Sequence, residues 1–146
     1  MLKLEIITPD RTVFEGEADA VTIPTADGEI TVLPKHVPLI GVVVAGTMLI
    51  RRGGEAELFA VSRGVVEVTQ TGVRILADTA DRAEELEEEA IAKAKEAAEK
   101  LVAERRGESE SFAEATAILD RELARLRTVR RHRSGRSPRM NPGSGD

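Results

Sequence analysis

The spacing of apolar residues changes once along this chain, close to Asp81, and this change limits the fold more than any other feature. Before it, apolar and polar residues alternate, as Leu2, Leu4 and Ile6 do with their neighbours, which is the period of a strand with one buried face. After it, apolar residues recur every three or four positions, which is the period of a helix. The sequence therefore predicts an α+β protein whose strands come first and whose helices come second.

The N-terminal part, residues 1–82, is predicted to fold as a β-sandwich or flattened barrel. About nine or ten short segments with strand periodicity fill roughly the first 78 residues, a density typical of all-β domains. Turn signals separate these segments. Asp27 and Gly28 form one signal, and Gly53 and Gly54 form another, in which glycine supplies the positive φ angles of a tight hairpin.

Residues 83–131 are predicted to form two antiparallel helices. Neither glycine nor proline occurs in residues 83–106, so this segment is predicted to be one helix that ends at Gly107. Ser111 and Glu114 have the spacing of a capping box, which predicts the start of a second helix. Because the connection is short, the two helices are expected to lie side by side as a hairpin.

Each predicted helix carries one apolar stripe. Alanine dominates the first stripe and buries little area, so the hairpin is predicted to dock weakly and to be movable; a static helical cap is the alternative. The predicted stripes are Ala83, Leu86, Ala90, Ala94, Ala97 and Leu101 in the first helix, and Phe112, Ala115, Leu119, Leu123 and Leu126 in the second.

The last part of the chain, residues 132–146, lacks periodic apolar residues and is predicted to be a disordered basic tail. The final twenty residues contain six arginines and one acidic residue, although the whole chain has a net charge of −5. An arginine-rich tail of this kind could bind RNA or anionic lipid electrostatically. A β-sandwich adaptor with such a tail is therefore the alternative function, and its binding would weaken steeply with salt.

Composition excludes several kinds of site. Cysteine is absent, which excludes disulfides, thiolate nucleophiles and cysteine-ligated metals. The aromatic residues are three phenylalanines, too few to stack bases, so nucleic acid is not expected as a partner. The longest apolar stretch, residues 39–50, is shorter than the roughly 20 residues of a membrane-spanning helix and is interpreted as a pair of core strands. Since the N-terminus also lacks a signal-peptide pattern, the chain is expected in the cytoplasm.

Catalytic motifs are absent from the sequence. It contains no P-loop, dinucleotide-binding, nucleophile-elbow or paired-histidine metal motif. His36, in a proline-flanked loop, is interpreted as a surface or packing residue, and His132 lies among arginines. An enzyme is therefore the least favoured hypothesis, and no catalytic residue, metal or cofactor is predicted. One acidic cluster is interpreted as a solvated face near a helix start: Glu84, Glu85, Glu87, Glu88 and Glu89.

Three segments resemble signatures of the bacterial ATP synthase ε subunit. They are GEITVLPKHVPL at residues 28–39, FEGEAD at residues 14–19 and LADTADRAEE at residues 76–85. The resemblance covers about residues 1–131 and implies a ten-stranded β-sandwich followed by an α-helical hairpin. It also implies a noncatalytic rotor component of a proton-translocating ATP synthase, in the central stalk.

The resemblance implies two partners for the sandwich, the γ subunit and the ring of c subunits. It places Glu29, Lys35 and His36 close to the c ring or to γ. Pro34 and Pro38 fix φ and stiffen this loop, so that it can bind with a small ordering cost. The expected location is the cytoplasmic face of the bacterial plasma membrane, as a peripheral protein.

The resemblance also implies a regulatory role for the hairpin. In the family, the hairpin lies folded on the sandwich or extends along γ towards the α and β subunits, where it blocks ATP hydrolysis. Clustered arginines near the end of the second predicted helix could pair with acidic segments there. The expected inhibitory contacts are Arg121, Arg125, Arg127, Arg130 and Arg131.

Some family members bind ATP through an apolar-Asp-x-x-Arg-Ala motif at the start of the first helix. The matching stretch here, residues 86–91, retains Leu86 but has Glu87, Ala90 and Ile91 at the motif's Asp, Arg and Ala positions. Loss of the arginine and the run of glutamates disfavour a triphosphate, so ATP binding is not expected. Three further departures occur where glycine is usual in the family, namely Thr31, Lys35 and Arg63.

Overall fold

The computed structural model describes residues 1–136 and contains ten strands, a 3₁₀ turn and two α-helices. The strands are β1 (Leu2–Ile7), β2 (Thr12–Ala18), β3 (Ala20–Thr25), β4 (Gly28–Val32), β5 (Leu39–Val43), β6 (Gly46–Arg52), β7 (Glu55–Val61), β8 (Gly64–Val68), β9 (Gly72–Ala77) and β10 (Ala80–Arg82). The 3₁₀ turn is Ala83–Glu85, and the helices are α1 (Glu88–Glu104) and α2 (Ser109–Arg136). The predicted ten-stranded α+β architecture is confirmed.

The strands form one continuous sheet that folds into a sandwich. Their order is β10-β7-β6-β3-β5-β8-β9-β1-β2, and β4 pairs beside β3. Within residues 1–136 the strand pairs are antiparallel apart from β1 with β9, where Leu4 lies opposite Val73 in a parallel pair. β3 is the junction of the sheet, since its residues pair with β4, β5 and β6.

The core collects the inward-facing side chains of the strands. In β1, Leu4 and Ile6 are fully buried and Lys3 is exposed, as expected for alternating strand residues. Phe14 of β2 meets Phe59 of β7 edge to face, with ring centroids 6.0 Å apart and ring planes at 86°. Because β2 and β7 lie near opposite ends of the strand order, this contact closes the two layers on each other.

The first helix begins later than predicted. Ala83 is buried in the 3₁₀ turn, and Leu86 and Glu87 are then extended, with ψ angles of 137° and 116°. The extended backbone carries Leu86 into a small apolar cluster with Ile91 and Leu126. The predicted start at residue 83 is wrong. Ala83 packs on the sandwich and Leu86 packs in the hairpin, and one straight helix through both residues would not allow both contacts.

The buried stripe of α1 lies one position later than predicted. Ala90, Ala94 and Ala97 are exposed, whereas Ile91 and Ala98 are buried. An isoleucine removes more apolar area from water than an alanine does, so α1 is rotated to point Ile91 at α2. The prediction of an alanine stripe was wrong because it gave alanine and isoleucine equal weight.

The second helix has two buried faces, whereas the sequence predicted one. Ala115 and Leu126 of the predicted stripe are buried. Ala124 and Thr128 are buried as well, and the Thr128 Oγ1 lies 2.6 Å from the Thr47 Oγ1 of β6. α2 therefore packs against α1 and also against β6 and β7 of the sandwich.

Both ends of α2 differ from the prediction. Ser111 lies inside the helix and is not an N-cap, because α2 already begins at Ser109. Gly107, with φ of 96°, forms part of the turn between the helices. The helix continues five residues beyond the predicted boundary to Arg136, and the rest of the predicted tail, residues 137–146, lies outside the described residues. In residues 1–136, no helix combines the length and apolarity needed to cross a membrane.

Candidate functional site

The turn between β4 and β5 holds two of the three residues expected to contact the c ring or γ. Lys35 is exposed and adopts a left-handed φ of 67°. The His36 amide donates to the Leu33 carbonyl at 3.1 Å, and the His36 Nδ1 lies 2.7 Å from the Val37 carbonyl oxygen. These contacts fix the imidazole to its own loop. Leu33 and Val37 leave 55% and 73% of their area exposed. Leu33, Lys35, His36 and Val37 form what is here named the turn surface.

Glu29 is not part of the turn surface. It lies near the start of β4, where it pairs with Pro24 of β3, whereas Lys35 and His36 follow the end of β4. The three strand steps from Glu29 to Val32 span roughly 10 Å. The structure thus brings Lys35 and His36 together and leaves Glu29 exposed at the other end of the strand.

An exposed apolar row crosses four neighbouring strands on the outside of the sandwich. Val42 of β5 pairs with Val65 of β8, Val65 with Leu76 of β9, and Leu76 with Ile7 of β1. Val42, Val65 and Leu76 leave 57%, 44% and 47% of their area exposed. These four residues, Ile7, Val42, Val65 and Leu76, are here named the apolar row.

A mostly charged row borders the apolar row. Ile40 pairs with Glu67, Glu67 with Arg74, and Arg74 with Glu5. The Arg74 Nε donates to the Glu5 Oε1 at 3.1 Å. Ile40 itself is 75% exposed and extends the apolar surface at one end. An apolar centre with a charged border is the usual arrangement of a protein-binding surface.

The sequence prediction missed the apolar row, because it interpreted residues 39–50 as buried strands. The signal was present in β5, where Ile40 and Val42 lie at the polar positions of an alternating strand. An antiparallel strand that is apolar on both faces needs cover on both faces. In the described residues, the hairpin covers β6 and β7 and leaves the outside of β5 exposed.

Arg125 connects the hairpin to the sandwich. Its Nε and Nη2 lie 3.0 Å and 2.9 Å from the Asp81 Oδ2 of β10. Its Nη1 donates to the Glu122 Oε2 at 2.9 Å, and the Arg121 Nε donates to the same oxygen at 3.1 Å. Glu122 is 2% exposed, so its carboxylate depends on these two arginines for compensation. Asp81, Arg125, Glu122 and Arg121 form one network.

Glu88 at the start of α1 pairs with the end of α2. The Arg130 Nε donates to the Glu88 Oε2 at 3.0 Å, and the Arg133 Nη1 lies 2.6 Å from the Glu88 Oε1 as an ion pair without hydrogen-bond alignment. Arg127 and Arg131 are exposed. The five arginines expected to inhibit hydrolysis therefore do not form one exposed basic surface in this folded hairpin, since Arg121, Arg125 and Arg130 are engaged in ion pairs.

The altered ATP motif lies beside the Arg125 network. Leu86 and Ile91 belong to the apolar cluster of the hairpin, and Glu87 and Ala90 are exposed. A shallow groove of about 510 Å³ lies between them and α2, lined also by Glu85, Glu122, Arg121 and Arg125. Its two arginines are already paired with carboxylates, and further glutamates line it. This arrangement does not fit a triphosphate.

A larger groove of about 670 Å³ separates the first half of α2 from the sandwich. Phe112 and Ile118 line it on the helix side and are only partly buried. On the sandwich side, the hydrogen bond and the charge of Asp78 raise the pKa of Arg63, whose Nε lies 2.9 Å from the Asp78 Oδ2. The contact between α2 and the sandwich is therefore concentrated in the second half of the helix. Residues 1–136 contain no cluster of three or more potential metal ligands.

Comparisons with known proteins agree on one family. The profile of the family described as "ATP synthase, Delta/Epsilon chain, beta-sandwich domain" matches residues 1–83. The ATP synthase epsilon chain of Halalkalibacterium halodurans is 37% identical over 125 residues, which cover 86% of this chain and 94% of that protein. The ATP synthase epsilon chain 1 of Methylococcus capsulatus is 35% identical over 137 residues, covering 93% of this chain and 97% of that protein.

Solved structures show the same fold. A chain of the Euglena gracilis mitochondrial ATP synthase, from a cryo-EM structure of its OSCP/F1/c-ring, aligns with a TM-score of 0.71 at 24% identity, covering 84% of this chain and 78% of that chain. A chain of the Tetrahymena thermophila central stalk/c-ring aligns with a TM-score of 0.51 at 18% identity, covering 57% and 68%. Taken with the family profile over residues 1–83 and the full-length relatives, these matches show that the chain belongs to the ATP synthase epsilon chain family.

Proposed function

We propose that this protein is a noncatalytic central-stalk subunit of a rotary, proton-translocating ATP synthase, which couples the γ subunit to the c ring and restrains ATP hydrolysis through its hairpin. Family membership supports the assignment to the synthase. The observation that carries the coupling role is the apolar row, because it gives the sandwich a binding surface on the part of the sheet that its own helices leave exposed.

The apolar row is assigned to the γ subunit. Val42, Val65 and Leu76 contribute side chains that stay about half exposed in the isolated chain, so burying them against a partner gains hydrophobic free energy. The neighbouring Glu5 and Arg74 are ion-paired and can fix the register of the partner at the border. The hairpin packs on β6 and β7, and binding at the apolar row leaves it in place.

The turn surface is assigned to the c ring. Lys35 and His36 present polar groups from a backbone that two prolines and the His36 hydrogen bonds hold in one shape. Leu33 and Val37 add apolar area to the same turn. A stiff polar turn suits contact with the loops of the c subunits. Such contact accords with the proposed peripheral location on the cytoplasmic face of the bacterial plasma membrane. The solved relatives come from assemblies that include a c ring.

The inhibitory role is assigned to an extended form of the hairpin. Arg127 and Arg131 are exposed in the folded form, and Arg125 and Arg130 become available once α2 leaves the sandwich and α1. Acidic segments of the α and β subunits are the expected partners. The RNA or lipid adaptor is less favoured, since Arg130 and Arg133 are paired with Glu88 and the rest of the tail lies outside the described residues.

Binding measurements test the two assigned surfaces separately. The double change Val42→Glu with Val65→Glu should weaken binding of the full chain to γ at least about tenfold, because it places two charges in an apolar interface. The matched control is Val37→Glu, which alters the turn surface and should leave γ binding unchanged. Equal γ affinity for the double variant and the unaltered chain would overturn the assignment of the apolar row.

Hydrolysis measurements test the inhibitory role. Neutralising Arg121, Arg125, Arg127, Arg130 and Arg131 together should raise ATP hydrolysis by the reconstituted enzyme, since the charges that hold the extended form are lost. A variant with Lys93 and Lys100 changed to glutamine serves as the control for removing positive charge from exposed positions of α1. Unchanged hydrolysis in the arginine variant would show that these arginines do not inhibit.

A further inference from the structure

Arg125 supplies an ion pair between the hairpin and the sandwich, beside the Thr128–Thr47 contact of α2 with β6. Arg125 directs its Nε and Nη2 at Asp81 and its Nη1 at Glu122, so that three of its nitrogen atoms lie 2.9–3.0 Å from a carboxylate oxygen. The side chains of Arg125 and Asp81 are 21% and 27% exposed, which limits competition from water. Asp81 belongs to β10 of the sandwich, whereas Arg125 and Glu122 belong to α2.

We propose that Asp81 is a latch residue: it holds the hairpin folded on the sandwich and, by the same contact, withholds Arg125 from the catalytic head. Glu88 acts as a second latch on Arg130 and Arg133 at the far end of α2. The regulatory part of this inference rests on the proposed inhibitory function, whereas the latch itself rests on the contacts alone.

The latch works by competition for the same cations. In the folded form, all three nitrogen atoms of the Arg125 guanidinium pair with Asp81 or Glu122, so a carboxylate of another subunit has to displace Asp81 to bind there. Glu88 competes in the same way for the Nε of Arg130. Each latch contact therefore shifts the population towards the folded form by the free energy that it adds there and not in the extended form. Glu122 travels with α2 and pairs with Arg125 in either form, so it fixes the arginine without deciding between the forms.

The carboxylates of the latch occupy the cations that a bound nucleotide would need. Arg121 and Arg125 are the cations of the groove beside the altered ATP motif, and Glu122 and Asp81 already neutralise them. A nucleotide would have to displace these carboxylates and approach the glutamates around them. The folded form of this chain is therefore stabilised by its own carboxylates, and added ATP should leave the fraction folded unchanged.

Thiol labelling of the full chain measures the latch. The chain has no cysteine, and Thr128 is fully buried beside Thr47, so Thr128→Cys introduces one thiol that becomes reactive only when α2 lifts from the sandwich. When reclosure is faster than labelling, the labelling rate is proportional to the open fraction. A second reporter, Val66→Cys in the sandwich core, reports global unfolding instead.

In the Thr128→Cys chain, Asp81→Ala should raise the labelling rate about fivefold, the effect of losing about 1 kcal/mol. Glu88→Gln should raise it by a smaller factor, because its arginines are more exposed. The matched control is Glu99→Gln, which breaks the ion pair with Lys95 inside α1 and should leave the rate unchanged. Asp81→Asn, which keeps the shape of the side chain, replaces Asp81→Ala if the latter also speeds labelling at Val66→Cys.

Two results would overturn the latch: an unchanged labelling rate at Thr128→Cys in both Asp81 variants, or an ATP-dependent fall in the rate of the unaltered reporter chain. A separate arm addresses regulation in the reconstituted enzyme, where Asp81→Ala should lower ATP hydrolysis because it releases Arg125. If labelling rises and hydrolysis does not change, the latch stands and the proposed inhibition fails.

Discussion

At Lys35 the backbone adopts a φ angle that residues with a Cβ rarely adopt. Lys35 adopts φ of 67°, a left-handed conformation that costs an L-residue with a Cβ roughly 1–2 kcal/mol. The resemblance predicts glycine at position 35, where this chain has lysine. The observed angle accords with that prediction, since glycine reaches positive φ without steric cost.

Replacing Lys35 by glycine should therefore raise the free energy of unfolding by about 0.5–1 kcal/mol, because relief of the left-handed strain exceeds the added flexibility of glycine in the unfolded chain. Chemical denaturation of the full chain measures this change. Lys35→Val, a β-branched residue, is the control and should destabilise the protein. A loss of stability in Lys35→Gly would contradict the role assigned to the backbone angle.

Gly64 is constrained by space and not by φ. A Cβ at this position would lie 1.9 Å from the Leu76 carbonyl oxygen of the neighbouring strand. Gly64→Ala should lower the free energy of unfolding by about 2–3 kcal/mol, since β8 and β9 would have to separate. Gly16→Ala is the control, because its Cβ would meet Phe14 at an ordinary 3.4 Å. Equal thermal midpoints for the two variants would contradict this account.

At the scale of elements, sequence period identified strands and helices, but neighbours decided their limits. The change of period near Asp81 coincides with the last strand of the sheet, β10. The sequence placed the start of the first helix at residue 83, whereas α1 begins at Glu88 because Leu86 is drawn into the hairpin cluster. Contacts between segments far apart in sequence decide where a helix begins. Local helix propensity carries no information about those contacts.

The packing of α1 rests on Ile91, and this gives a prediction for the element. Ile91→Ala should lower the local stability of the hairpin by about 2–3 kcal/mol, because Ile91 is 6% exposed and packs on Leu126 and Val129. Amide hydrogen exchange of α1 should speed up while exchange in the sandwich core is unchanged. Ala94→Ser, at an exposed position of α1, is the control. Uniformly faster exchange in both parts would contradict a separately stable hairpin.

At the scale of the whole molecule, the sandwich has a core of its own. Its buried cluster draws only on residues of β1 to β10, and the hairpin has a separate cluster around Ile91. The sequence predicted this division because each part has one uniform period. It did not predict which sandwich faces stay exposed, since an apolar residue on an outer face has the same sequence signal as one in the core.

Removal of residues 83–146 should accordingly leave a folded β domain that still binds γ, since the apolar row lies wholly within residues 1–82. Circular dichroism and a cooperative denaturation curve report folding of the fragment, and calorimetry with γ reports its binding. A folded fragment without γ affinity would place the γ contact on the hairpin and contradict the assignment.

The parallel pairing of β1 with β9 has a consequence for biosynthesis. Leu4 pairs with Val73, which lies about seventy positions later in the chain. One edge of β1, the first strand to be synthesised, therefore stays without its hydrogen-bonded partner until β9 has been synthesised. Until then that edge is open to strands of other nascent chains. We therefore expect the domain to complete folding only after synthesis has passed β9, with chaperone contact centred on its N-terminal hairpin.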